Sequence, residues 1–554
     1  MARYWAVILA VLGALLVSPA LARADVRPSA HADDSRVAHR GSDGARTSIV
    51  PYIELGQVVV AELSPGDDVL TYTSLAAGVD ATIAGRNTAG QVSLRYERRI
   101  GWGSKQSDGD VISGLARVSS DLIPRVLRLD AGALATRASV ENGGGASLNS
   151  AFRTDRSSRI YSLYAGPTLS ANVGDVAVGG SYRVGYTRVE APGSARAGGE
   201  GQRIDLFDDS VAQTAAISAG IRPGVIAPVG VTLSAGWNRE DISNLDQRVD
   251  ARSVRADFIL PVSLDNALLG GIGYEDVEIS SRDALRDAAG DPVIGRDGRF
   301  VTDKSGPRRL AYDVEGLTWD AGVMWRPSRR TALEAHVGRR YGSTTFYGSF
   351  GYNPNQRMSL HISAYDNIAG FGGQVQRSLE ALPTEFTVSR NGLNGDIGGC
   401  VIARSDGSCL NNALSSVASA TFRARGIAAS WAVDLVRLQY GLGIGYDRRR
   451  FIAAPGTVLA AANGVVDENI WAQAYVSGRI NHRSAFRGNL YASLYKSGFA
   501  GTGDATAIGA NASYFRNLTD RLTATAAIGL DGIDRDLVDD QWAASALLGL
   551  RYSL

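Results

Sequence analysis

From Ile49 to Leu554 apolar and polar side chains alternate one for one in runs of about 10 to 15 residues, each closed by turn-forming residues. Side chains on an extended strand point to opposite faces with a period of two. Such a run therefore satisfies its pattern only in a sheet with one apolar and one polar face. Leu317, Trp319, Ala321, Val323 and Trp325 form one apolar stripe, alternating with Thr318, Asp320, Gly322 and Arg326. Met358, Leu360, Ile362 and Ala364 alternate in the same way with Ser359, His361, Ser363 and Tyr365. So do Ile470, Ala472, Ala474 and Val476 against Trp471, Gln473, Tyr475 and Ser477.

Run length selects the kind of sheet. Strands of a soluble sandwich average about five or six residues, whereas a tilted strand crossing a bilayer needs about 9 to 11. A solenoid would repeat with one period, and here the connections range from tight links to the long segment Ala369 to Ser415. Beyond the N-terminus no stretch offers the ~18 uninterrupted apolar residues of a membrane helix, so any membrane insertion must use strands closed into a barrel.

Short links fall near Pro327 to Arg330, Asn353 to Gln356, Asp434 to Val436, Asn481 to Ser484 and Asn517 to Asp520. Long ones alternate with them: Ala138 to Ser157, Ala191 to Asp209, Arg282 to Tyr312, Ala369 to Ser415 and Ala453 to Val466. Outer-membrane barrels keep short turns on the periplasmic side and long loops outside, with both termini inside. Strands are predicted to begin near Ile49, Asp68, Gln91, Asp110, Arg125, Arg159, Asp175, Val211, Val229, Gln247, Asn266 and Glu315, with ten more to a last strand from Asp540 to Leu554. The reading is a transmembrane antiparallel up-and-down β-barrel of about 22 strands, within two to four, and the even number returns the N-terminus to the periplasm.

Met1 to Ala24 carries Arg3, an apolar run from Trp5 to Val17 and small residues at Ala22 and Ala24, which predicts a secretory signal peptide cleaved after Ala24. Residues 25–47 lack an apolar period and predict a disordered periplasmic tail, leaving 48–554 for the barrel. No folded plug domain fits ahead of the first strand, which argues against a TonB-dependent receptor. The net charge of +1 supplies no basic face for nucleic acid. Lysine occurs only at Lys105, Lys304 and Lys496, so arginine carries the positive charge.

The final strand places Trp542, Ala544, Ala546, Leu548, Leu550, Tyr552 and Leu554 on one face, and Gly549, Tyr552 and Leu554 resemble the C-terminal signal read by the outer-membrane assembly machinery. It departs from that signal in ending on Leu and not on an aromatic residue. Between Pro51 and Trp102 the chain reads Pro-Tyr-Ile-Glu-Leu-Gly-Gln-Val-Val-Val-Ala-Glu-Leu, later Asp-Asp-Val-Leu-Thr-Tyr-Thr-Ser-Leu-Ala-Ala-Gly-Val-Asp-Ala, then Leu-Arg-Tyr-Glu-Arg-Arg-Ile-Gly-Trp. These three strands resemble an uncharacterised family of outer-membrane barrels in proteobacteria that carry the exosortase, or PEP-CTERM, system and often make exopolysaccharide. The resemblance implies location and fold, with no catalytic residues to carry over.

On faces expected to look into the barrel lie Arg95, Glu97 and Arg99; Arg183; Arg255 with Asp257; Asp320; Glu334 with His336 and Arg340; and Arg423 with Arg425. They suit a polar conduit or saccharide track, since arginine donors meet carboxylate or hydroxyl oxygens. They suit still better the mutual neutralisation that any wide barrel needs on its inner wall. Ala369 to Ser415 is long for an idle connection and contains a helix-like stretch, Val375 to Leu382, together with Cys400 and Cys409. It could fold inward as a constriction or stand outward as a surface loop. In an exported protein the C-x8-C pair can close a small disulfide loop, and two thiols with no histidine nearby do not make a metal site. Asp297-Gly298, between Val293, Ile294 and Phe300, Val301, predicts a hairpin above the membrane.

Gly441, Gly443 and Gly445 lie along a strand and are not a dinucleotide loop, which needs a following helix. Asn517-Leu518-Thr519 fits a glycosylation acceptor but falls in a predicted periplasmic turn. No G-x-S-x-G or H-E-x-x-H motif occurs, and His336 and His361 stand singly. The expectation is a non-enzymatic outer-membrane barrel without cofactor or metal. Its partners are membrane lipid, lipopolysaccharide and the assembly machinery, and polysaccharide or small solutes would pass through it. The competing expectation is a structural or adhesive barrel that acts through its loops.

Overall fold

The computed structural model describes residues 46–102, 109–140, 146–147, 157–190, 195–196, 203–204, 206–384, 390–397, 400–402, 407–409, 418–499, 503–536 and 538–554. The predicted signal peptide and the tail up to residue 45 lie outside the described residues, as does most of the loops at 138–157 and 191–209.

The alternating runs form twenty-two long strands in one antiparallel sheet, extended locally by the two-residue Ala146–Ser147. In chain order they are β1 (Arg46–Ser64), β2 (Val69–Ala84), β3 (Thr88–Trp102), β4 (Gly109–Ile123), β5 (Leu127–Val140), β6 (Ser157–Val173), β7 (Val176–Glu190), β8 (Asp209–Ile221), β9 (Gly230–Ile242), β10 (Gln247–Pro261) and β11 (Asn266–Ser281). The second half comprises β12 (Arg309–Ser328), β13 (Thr331–Arg340), β14 (Ser343–Asn355), β15 (Met358–Ala369), β16 (Thr421–Asp434), β17 (Leu438–Ile452), β18 (Val466–Asn481), β19 (Ser484–Lys496), β20 (Ala505–Asn517), β21 (Leu522–Arg535) and β22 (Val538–Ser553). The number agrees with the sequence reading, and the named predicted starts fall within three residues of the observed ones except Glu315, six residues late against Arg309.

Each strand pairs with its chain neighbours, and β1 also pairs with β22 from Tyr52↔Ser553 to Ser64↔Trp542. Closure leaves no free edge strand, so ladder donors and acceptors find partners without water except where a pair stops short, as between β14 and β15. The links at the end that carries both barrel termini are short, such as 174–175, 329–330 and 482–483, and all the long connections lie at the other end, which also carries the two-residue turn 341–342. Outward side chains are large and apolar: Leu317 is 70% exposed and Leu548 71%, with Leu94, Val254, Val337 and Ile528 in the same row. Trp325, Tyr352, Tyr514 and Tyr552 stand outward near the short-turn end and Trp102 near the loop end, the disposition of an interfacial aromatic belt.

The β13–β14 hairpin turns on Tyr341 and Gly342, both at positive φ (53° and 67°), the conformation of a two-residue type I′ link. Tyr341 adopts it without a glycine because its amide donates to the Glu275 carboxylate and its carbonyl accepts from Tyr312 Oη at 2.9 Å. The Asp297-Gly298 hairpin is present, with Val301 N donating to Val293 O at 3.0 Å and Gly298 at φ 77°. The packed core lies inside the barrel toward the loop end, where Leu115, Leu134, Ile160, Val189 and Ile242 of the inner wall enclose Phe371, Val375 and Leu379 of the long loop.

Candidate functional site

The β15–β16 connection turns into the barrel. Helix α1 (Phe371–Glu380) carries Phe371, Val375 and Leu379 at four-residue spacing, which aligns them on one face. All three are essentially fully buried against the inner wall, worth about 1.5–3 kcal/mol each. The helix starts at Gly370 without a side-chain cap from its own segment. Instead the Glu240 carboxylate of β9 accepts from Gly370 N at 2.8 Å and Gly373 N at 2.9 Å, and from Ser210 Oγ at 3.1 Å. A carboxylate at this position meets both the orphan amides and the positive end of the helix dipole. Gly372 and Gly373 permit the approach, since a Cβ on either would collide with Ser210 Oγ or Glu240. At the far end Arg117 of β4 donates to Leu382 O at 3.2 Å and Glu380 O at 3.4 Å.

Residues 390–397 form the tip. Gly395 N donates to Asn391 O at 2.9 Å and Asn391 N to Asp396 O at 2.8 Å, with Gly395 at φ 68°. Arg390 donates from Nη1 to Ser113 Oγ of β4 at 2.8 Å and from Nη2 to Ser93 Oγ of β3 at 3.0 Å. Arg137 of β5 grips both oxygens of Asp396 at 3.0 Å. Farther round the wall, past β1 and β22, Gly392 lies against Ser513 of β20 and Leu393 against Gly529 of β21. The described part of the loop therefore spans from β9, at the helix, to β20 and β21, at the tip, with Arg390 reaching Ser93 in the half of β3 nearer the short turns. Of the two dispositions open to the sequence, the described loop residues take the inward one.

Arg95 stands at the middle of β3, its Nε 2.8 Å from Glu54 Oε2 of β1, and it also bonds Glu97. Glu97 accepts from Arg99 Nε at 2.7 Å, and the Arg99 guanidinium lies 5.1 Å from the Tyr72 ring centroid. Arg551 of β22 joins the group through Asp80 at 2.8 Å and Glu54 at 3.6 Å. Arg183 reaches Asp130 at 3.0 Å and Thr168 Oγ1 at 2.6 Å. Around the wall, Asp320 bonds Arg255 and accepts from Tyr347 Oη at 3.1 Å. His336 places Nδ1 2.9 Å from Asp320 and Nε2 3.2 Å from Glu334, its ring stacked 4.6 Å from Tyr347. Arg255 also pairs with Asp257, and Arg340 with Glu275 at 3.3 Å. These residues line or adjoin a cleft of about 560 Å³ along β10–β15.

Arg423 and Arg425 sit elsewhere. They share the face of Ile427, which is 48% exposed, while Phe422 and Ala424 on the opposite face are buried. The β14–β15 ladder stops at Gly348↔Ala364, leaving Ser343 to Tyr347 unpaired on that side. Both arginines close the gap: each pairs with Asp366, Arg423 at 2.6 Å and Arg425 at 3.1 Å, and each reaches Ser343 Oγ. The expected lumen position is replaced by a seam because β13 and β14 end early in a tight hairpin.

Sequence reasoning missed Glu54, Asp80, Arg137, Glu240, Arg487 and Arg551 on the wall, and Arg390 and Asp396 on the loop. The wall residues were findable by alternation, since Glu54 lies between outward Ile53 and Leu55, and Arg551 between outward Leu550 and Tyr552. Arg390 and Asp396 carry no such signal. Cys400 and Cys409 face each other in register on the ribbon Cys400–Ile402 with Gly407–Cys409, and their side chains lie outside the described residues. Among the described residues no group of histidine, cysteine, aspartate and glutamate could hold a metal ion.

No family model matches the chain, and no curated protein matches it. Solved structures with a similar fold include the siderophore receptor PiuA of Acinetobacter baumannii, at 10% identity and TM-score 0.40 over 91% of this chain and 82% of that one. The ferric-catecholate import receptor Fiu of E. coli, in its closed form, aligns at 11% identity and TM-score 0.44 over 91% and 81%. The FrpB iron transporter of Neisseria meningitidis (F5-1 variant) aligns at 9% identity and TM-score 0.43 over 91% and 82%.

Proposed function

We propose that this protein is a transport barrel of a Gram-negative outer membrane, whose lumen is constricted by its own β15–β16 loop. The outward apolar band supports lipid as its surroundings, and the Trp542 to Leu554 strand supports delivery by the assembly machinery. The observation that carries the transport reading is the infolded loop, whose helix is held by Glu240 of β9 and whose tip reaches β3, β4 and β5 through Arg390 and Asp396 and β20 and β21 through Gly392 and Leu393. An adhesive barrel would gain nothing by placing its longest loop inside. A polar, charge-paired inner wall suits hydrophilic solutes. The resemblance of the first three strands makes surface polysaccharide a cargo class to test.

Purified full-length protein in planar bilayers is expected to give stepwise conductance that rises when residues 370–417 are replaced by a short glycine-serine link. An insulating membrane at high protein load, with correctly folded protein, overturns the reading. Loss of surface polysaccharide on gene deletion, with general permeability unchanged, would assign the cargo to export.

A further inference from the structure

The charges at the tip of the infolded loop do not balance. Arg95, Arg99, Arg390, Arg487 and Arg551 gather there around Glu54, Glu97 and Asp80. The three carboxylates are already engaged: Glu54 by Arg95 and Arg551, Glu97 by Arg95 and Arg99, Asp80 by Arg551 and Ser93 Oγ. Arg390 spends its donors on neutral oxygens of Ser93, Ser113 and Gly395. Arg487 on β19 has no hydrogen bond or ion pair among the described residues, only a guanidinium-to-ring contact of 5.7 Å with Phe515. It is half-buried, and its electrostatic neighbours are Arg390, Arg551 and Asp80. In register beside it stands Ser513, whose buried Oγ has no partner among the described residues and lies under Gly392 of the tip.

A guanidinium with uncommitted donors, placed beside like charges in a partly desolvated wall, is costly unless an anion joins it. Its planar fork matches two oxygens of a carboxylate or phosphate. We infer that Arg487 is the direct ligand of an oxyanion-binding site on the solute path, with Arg390 and Arg551 supplying the field and Ser513 Oγ a further donor. This inference rests on the transport reading and names its substrate class: small solutes bearing a phosphate or carboxylate.

Two measurements on full-length protein judge it. Calorimetric titration of the detergent-solubilised barrel with inorganic phosphate is expected to show binding that weakens at least about tenfold in Arg487→Gln and less in Arg487→Lys, which keeps the charge but not the two-pronged fork, because a charge-assisted bond contributes about 1.5–3 kcal/mol. In bilayers under a potassium chloride gradient the reversal potential is expected on the anion side, and added phosphate should reduce the chloride current in wild type more than in Arg487→Gln. Each variant is first shown to be folded by its heat-dependent gel mobility. Equal phosphate binding in wild type and Arg487→Gln, no binding at millimolar phosphate, or cation selectivity overturns the site. An insulating bilayer instead removes the transport reading, and the calorimetry still decides the anion site. Parallel titration with an oligogalacturonate separates a free small oxyanion from the carboxylates of a polymer, and stronger binding of the polymer overturns the small-solute assignment.

Discussion

Arg137 and Asp396 lie 259 positions apart in the chain and meet in a buried two-pronged ion pair that ties the tip of the infolded loop to β5. Both side chains are only 3% exposed, so removing one partner strands a charge that water cannot reach.

Asp396→Ala is therefore expected to cost about 3–5 kcal/mol locally, which the loop relieves by leaving the wall. The predicted signature is faster hydrogen exchange in residues 390–397 and a larger, noisier conductance. The paired Arg137→Leu/Asp396→Leu variant should recover much of the wild-type protection. Wild-type exchange in Asp396→Ala would show that the pair does not hold the loop.

Glu240 substitutes for the cap that α1 lacks. Glu240→Ala should destabilise the helix by about 1–2 kcal/mol, the range for losing a good cap together with its dipole contact, and Glu240→Gln by less. Exchange protection confined to residues 371–380 reads this out, and identical protection in all three proteins would contradict it.

A methyl group at position 392 would overlap Ser513 Oγ. Gly392→Ala should shift the tip and change single-channel conductance, and adding Ser513→Ala should restore it. If the double variant behaves like Gly392→Ala alone, the contact is not the cause.

The seam between β14 and β15 depends on one carboxylate. Asp366→Ala leaves Arg423 and Arg425 without their acid, a loss of about 3–5 kcal/mol where the carboxylate is fully buried. The temperature at which the folded band disappears on a detergent gel should fall, and an unchanged transition temperature would contradict this role.

Directly opposed residues on an antiparallel ribbon have Cα atoms about 4.5–5.5 Å apart, within disulfide range. Cys400 and Cys409 hold that register. Secreted protein is expected to lack maleimide-reactive thiols until reduced, and labelling of both cysteines without reductant would exclude the bond.

How much of this was legible follows from period. The stripe Leu317 to Trp325 and the last strand from Trp542 to Leu554 read directly as outward faces, because alternation depends only on neighbours in sequence. The same rule located Arg95, Glu97 and Asp320. It misled at Arg423 and Arg425, where two polar side chains on an apolar row close a gap that β14 leaves by pairing short.

By itself the sequence determined the strand number, the sidedness of the barrel and the apolar girdle, since each is a sum of local alternations and link lengths. Only the tertiary structure decided that the β15–β16 loop turns inward. That choice depends on partners 130 to 297 positions away, Glu240 for the helix and Ser93, Ser113 and Arg137 for the tip, and no local pattern encodes a contact that exists only once the wall has closed.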